Sequence, residues 1–193
     1  MLCKELTIMS ENNYSSLEKL KSEVIKCIKC PLHETRINAV FGEGDYKANI
    51  LIIGEGPGAN EDKQGRPFVG RGGKLLDEVL SKYGLSREKG VFIANIVKCR
   101  PPNNRVPKKD EVNTCIPYLE KQIQLINPKI ILLLGLTAVK SFTGIDEQMK
   151  EIRGKEYEKD GKTVMATYHP AAILRNQNLR SWFEEDIKKV SQA

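Results

Sequence analysis

No stretch of this chain is apolar for eighteen residues, so it carries no candidate membrane span. Its first residues, Met1-Leu2-Cys3-Lys4-Glu5, lack the basic-then-apolar pattern of a secretion signal, which points to the cytoplasm. Internal repeats and low-complexity segments are absent. No shift in composition marks a second domain, so one domain over residues 15–193 is expected behind a loose tail over residues 1–14. The glycine loop at residues 54–58 is not followed by G-K-[ST], which excludes a phosphate-cradling loop of the Walker A type. Its glycine spacing excludes a dinucleotide fingerprint. The chain has only five cysteines, and in a cytosolic protein these read as ligands or core residues rather than disulfides. Cys3 stands alone and reads as a spare thiol.

What is present is ordinary for a globular protein: 193 residues, 40% hydrophobic and 29% charged. The net charge of +6 permits binding to a polyanion without requiring it. The high Lys and Glu content hints at a hot habitat.

Residues 49–53 form a short, continuous, β-branched apolar run, the mark of a strand buried on both faces. The run ends abruptly in Gly54-Glu55-Gly56-Pro57-Gly58, a loop with exposed N–H groups and few side chains. In open parallel sheets ligands sit outside such strand ends; a plain tight turn is the alternative. Residues 91–97 and 129–134 give two more strands. Residues 155–157 and 162–166 flank Asp160-Gly161, a hairpin signal. Helices are expected over residues 15–26, 74–83 with Gly84 ending it, 107–126 with a break at Pro117, 135–142, and 178–190. Strands alternating with helices give a single-domain α/β/α sandwich around a mainly parallel, four-stranded sheet.

Two residues stand out chemically. Asn95 lies inside an apolar strand, and a buried amide must find partners, either backbone or ligand. His169 follows a predicted strand and precedes Pro170, which pins the loop; it is either a satisfied structural histidine or a functional one. Four cysteines fall as a C-x2-C pair, Cys27 and Cys30, followed by Cys99 and Cys115 in a C-x15-C spacing. Four thiolates suit zinc or an iron–sulfur cluster equally.

The combination G-E-G-P-G-x-x-E-D, G-R-P-F-V-G-R-G-G, N-x-x-K-C-R-P-P-x-N-R and H-P-A-A-x-L-R, with those cysteines, resembles the family 4 uracil-DNA glycosylases. These are the iron–sulfur type of thermophilic bacteria and archaea. The resemblance covers roughly residues 24–185. It implies hydrolysis of the N-glycosidic bond of deoxyuridine in DNA, a base-excision repair step that leaves an abasic site. It implies a [4Fe-4S] cluster on Cys27, Cys30, Cys99 and Cys115. In the site it implies that Phe68 stacks on the flipped base, that Asn95 bonds its Watson–Crick edge, and that Gly56 and Pro57 border it. His169 would donate to uracil O2, Glu55 would place the water and balance the cationic sugar, and Glu61 would exclude the methyl of thymine. Leu174 and Arg175 would wedge into the duplex, with Arg100 and Arg105 on the phosphates. The expected partner is uracil-containing DNA, bound by a monomer, with a sliding-clamp contact left open.

A relative that bonds DNA through a histidine after the second strand is excluded, because residues 100–109 contain none. A non-enzymatic iron–sulfur or zinc module that binds DNA would share the cysteines and basic surface, but not the set Glu55, Phe68, Asn95 and His169.

Overall fold

The continuous apolar runs become strands buried along their whole length, because helices cover both faces of the sheet. The computed structural model describes the backbone of residues 2–193 and the side chains from residue 13 onward. In chain order the elements are α1 (Leu2–Ile25), β1 (Glu43–Gly44), β2 (Ile50–Gly54), α2 (Ala59–Gln64), α3 (Arg71–Lys82), β3 (Val91–Asn95), α4 (Lys109–Ile126), β4 (Ile130–Leu134), α5 (Leu136–Thr143), α6 (Met149–Ile152), β5 (Glu156–Lys159), β6 (Lys162–Thr167), α7 (Pro170–Arg175) and α8 (Arg180–Gln192). No helix among the described residues is long and apolar enough to cross a membrane.

The fold is mixed α/β, with the sheet in the order β1-β3-β2-β4-β6-β5. Strands β3, β2, β4 and β6 run parallel. Alternating residues feed two cores. Leu51 and Ile53 pack with Leu17 and Val24 of α1 and Leu119 of α4. Ile50 and Ile52 pack with Leu76 and Val79 of α3 and Phe183 and Ile187 of α8.

The sheet has six strands, not the four expected. The two strands beyond the four parallel ones are antiparallel edges, and β5 is the first arm of the hairpin expected around Asp160-Gly161. Two-residue β1 pairs through its backbone alone and needs no apolar pattern. Strand β5 is mostly exposed and folds back through Asp160 and Gly161, both in the left-handed region as a two-residue hairpin turn demands.

Three further expectations are corrected. Residues 2–14, expected to form a loose tail, are the first turns of α1, since no Gly or Pro interrupts the chain before Pro31. The side chain of Cys3 lies outside the described residues. Pro117 does not end its helix: α4 runs from Lys109 to Ile126 through it, and Pro117 and Asn113, whose carbonyl loses its partner, both lie exposed. Stretches read as loop contain α2 and α7, each too short to show a period.

Helix α2 is tied back by Asp62, which is 1% exposed. Its Oδ1 accepts from the backbone N–H groups of Ile37 and Asn38 at 2.8 and 3.1 Å, and Asn38 Nδ2 donates to the Asp62 carbonyl. Removing the carboxylate strands two donors. Asp62→Ala is therefore expected to lower the unfolding free energy by about 2 kcal/mol, read from denaturant melts.

Candidate active site

Parallel strands end on one side, and pairing sets Gly54 beside Asn95 and Leu134 beside Thr167. Beyond these ends lies a cavity of about 790 Å³. Glu55, Gly56, Pro57, Glu61, Phe68, Asn95 and His169, distant in sequence, all line it. Arg105 and Arg175 lie on its wall, while Leu174 is 38% exposed next to Arg175 on α7. Arg100 does not line the cavity; its Nε donates to Asn104 Oδ1 at 2.7 Å.

Asn95 is 2% exposed, and its Oδ1 is buried with no hydrogen-bond partner. A stranded acceptor costs about 1–3 kcal/mol, so the site is built for a donor that comes from outside the chain. Glycine makes the arrangement possible. A Cβ at Gly54 would stand 2.5 Å from Phe68 Cζ and 2.6 Å from Asn95 Oδ1. A Cβ at Gly56 would stand 2.8 Å from Val97 Cγ2. The main chain of Asn95 is held by Lys98, whose Nζ donates to the Asn95 carbonyl at 2.9 Å and to Gln122 Oε1 at 2.6 Å. Burial pushes this ammonium down to about 8.

Phe68 sits in the left-handed region, with φ of 52°. Its ring lies 5.6 Å from the His169 ring, tilted by 33°. Glu61 serves the same loop: its Oε1 accepts from Val69 N and Gly70 N, both at 2.9 Å. Its carboxylate therefore holds the backbone that carries Phe68 and also borders the cavity.

His169 starts α7, and its Nδ1 accepts from Ala171 N at 3.1 Å. Burial, helped by the Arg175 charge and opposed by Glu61, pushes its pKa from 6.5 down to about 4. The ring is neutral at pH 7, and with Nδ1 accepting, the proton resides on Nε2. This leaves one uncharged N–H donor. Gly135, at φ of 87°, lets α5 begin tight against it, since a Cβ there would meet His169 Cβ at 3.1 Å. The strand end before it is fixed by Thr167 Oγ1, which donates to the buried Asp186 at 2.6 Å. Tyr168 stacks on Trp182 with rings 6.0 Å apart.

Of the basic residues expected on the DNA, Arg105 has an inward duty. It forms a two-pronged pair with Glu111, itself 2% exposed, at 2.6 and 2.8 Å. Glu111 also accepts from Lys108 N, so the pair shapes the loop before α4.

Cys27, Cys30, Cys99 and Cys115 line one small cavity between α1, α4 and the loop after β3. Burial raises the thiols of Cys30, Cys99 and Cys115, the last to about 11. Arg36 Nη1 donates to Cys99 Sγ at 3.0 Å, and Lys98 N donates to Cys115 Sγ at 3.2 Å. Among the described residues these side chains do not close into a single-ion cage. Four sulfurs around a common space, with donors already aimed at two of them, fit a four-thiolate cluster.

Sequence reasoning missed Asp62, Arg87, Lys98 and Gln122. Lys98 directly after an apolar run was the one available signal. The others look like any surface charge or amide until the fold buries them.

The uracil DNA glycosylase superfamily model matches residues 41–190. The chain belongs to this superfamily. A type-4 uracil-DNA glycosylase from Sulfurisphaera tokodaii is 52% identical over 186 residues, covering 92% of this chain and 84% of the relative. One from Pyrobaculum aerophilum is 47% identical, covering 89% and 91%. One from Saccharolobus solfataricus is 48% identical, covering 92% and 86%. Identity at that level over most of both chains places the protein with the type-4 enzymes.

The state of His169 has a measurable consequence. Between about pH 4 and 6.5 the unfolded chain binds a proton that the folded chain refuses. Its contribution to stability is full above pH 6.5 and is lost as pH falls toward 4. His169→Gln is expected to flatten the stability profile across that window. Uracil release by the parent should show no inflection near 6.5.

Proposed function

We propose that the protein removes uracil from DNA by taking deoxyuridine into the cavity and hydrolysing its N-glycosidic bond, leaving an abasic site. The observation that carries this is the stranded Asn95 Oδ1. Uracil offers an N3–H donor that completes it, while the neighbouring amide N–H serves O4. Cytosine offers a bare nitrogen and an amino group, so both partners of Asn95 would face their own kind. Leaving buried polar groups unpaired is the strong form of discrimination.

The base must leave the duplex, at a cost of a few kcal/mol. Phe68 receives its face, a contact worth about 1–3 kcal/mol. The Phe68 and His169 rings are too close for a base to enter between them, since two stacking gaps need about 7 Å. The base therefore lies on Phe68 with His169 at its edge. As the glycosidic bond breaks, negative charge grows on O2. The neutral Nε2–H of His169 is a fixed donor for it, and strengthens as the charge develops. Glu55 borders the cavity from the loop after β2 and takes the water and the cationic sugar. Gly56 and Pro57 bring backbone close to the base, and Glu61 fills the space beside C5. Leu174 and Arg175, both exposed at the end of α7, stand as the wedge into the vacated stack, with Arg100 on the phosphates. Arg105 acts by shaping its loop through Glu111.

The four cysteines would hold a [4Fe-4S] cluster, a structural tie between α1 and the loop after β3. That loop contains Lys98, which grips Asn95, so the tie also steadies the base-reading strand end. The protein acts as a single-domain monomer in the cytoplasm.

Two measurements test this reading. His169→Ala and Asn95→Ala each remove a group aimed at the leaving base. Single-turnover uracil release should fall by about 10²–10³ in each, with affinity for abasic DNA nearly kept. Parent rates in both would overturn the pocket assignment. Anaerobically purified protein should carry about four irons per chain, with absorbance near 400 nm; zinc without iron would overturn the cluster.

A further inference from the structure

We infer that Arg87 is a positioning residue for base recognition: it clamps the two carbonyls that set Phe68 in its stacking pose. This rests on the reading that Phe68 receives the base. Phe68 holds a left-handed backbone, φ of 52°, which a bulky residue seldom adopts unaided. Something must hold it. The guanidinium of Arg87, 9% exposed, donates to the Pro67 carbonyl from Nη1 and to the Phe68 carbonyl from Nη2, both at 2.7 Å. Its remaining donors are anchored elsewhere. Nε and Nη2 meet the two oxygens of Asp77 on α3 at 3.0 and 3.2 Å, and Nη1 meets Glu43 on β1 at 3.3 Å. All five N–H groups of the fork are therefore used, two on the loop and three on the scaffold. On the far side, Glu61 takes the next two N–H groups, Val69 and Gly70. Carbonyls 67 and 68 are thus gripped by a cation and amides 69 and 70 by an anion. Gly73 admits the turn, since a Cβ there would stand 1.7 Å from the Phe68 carbonyl oxygen.

Lysine keeps the charge but cannot reproduce the fork. Arg87→Lys should slow single-turnover uracil release on the order of tenfold or more, as small misplacements of a binding group do. Affinity for abasic DNA, whose base slot is empty, should be unchanged. Emission from Trp182, the chain's one tryptophan, should also stay at the parent value and report an intact fold. Asp77→Asn weakens the anchor without touching the loop and should slow release in the same sense. The deciding readout is the pair with Phe68→Ala. If Arg87 acts through that ring, the double variant is as slow as Phe68→Ala alone. Parent rates in both Arg87→Lys and Asp77→Asn, or losses that add to that of Phe68→Ala, would overturn the clamp and leave the stacking reading standing. A Phe68→Ala variant at the parent rate would overturn the stacking reading and the clamp with it.

Discussion

Every chemical group of this site depends on four strands running parallel and stopping at one edge. Parallel pairing sends each chain crossing back through a helix, so the loops after β2, β3, β4 and β6 all open on the same side. Glu55, Asn95, Gly135 and His169 come from those four loops or strand ends. Antiparallel pairing among them would scatter these residues to opposite ends of the sheet. The two antiparallel strands lie at the outer edges, where they close the sheet without disturbing that alignment.

The atoms around the cavity are held by main chain and by charged side chains that bond main chain. Asn95 is gripped at its carbonyl by Lys98, His169 by the amide of Ala171, and the Phe68 loop by Arg87 and Glu61. Among the described residues, the one buried side-chain nitrogen or oxygen without a hydrogen-bond partner is Asn95 Oδ1, at the place where a base edge would arrive. Under the proposed reading, a site whose neighbours are satisfied and whose single acceptor is not would have its selectivity built in before substrate binds.

Burial gives His169 its character. A protonated imidazole would be a stronger electrophile, but it would be costly in this enclosed place beside Arg175. In the proposed reaction the neutral ring, with a fixed Nε2–H, would answer charge that appears only during bond cleavage. That is the property wanted of a donor whose task lies in the transition state.

Much of this was legible in the chain itself. The buried parallel strands, the helices at residues 74–83 and 178–190 and the Asp160-Gly161 hairpin follow from local patterns, and the cavity-lining set from Glu55 to His169 from the family resemblance of the ordered motifs. Those signals are local: apolar period, turn residues and spacing survive without a fold. The edge strand β1, the turns of α2 and α7, and the unbroken α4 at Pro117 did not show, because short or exposed elements draw stability from partners far along the chain. The same holds for the interior charges. Arg87 and Asp62 carry no sign in sequence of being buried, since a charge is tolerated inside only when distant partners meet it. Residue identity determined which polar, aromatic and titratable groups the cavity could present. Only the tertiary structure decided which charges hold them still, because that depends on contacts between segments tens of residues apart.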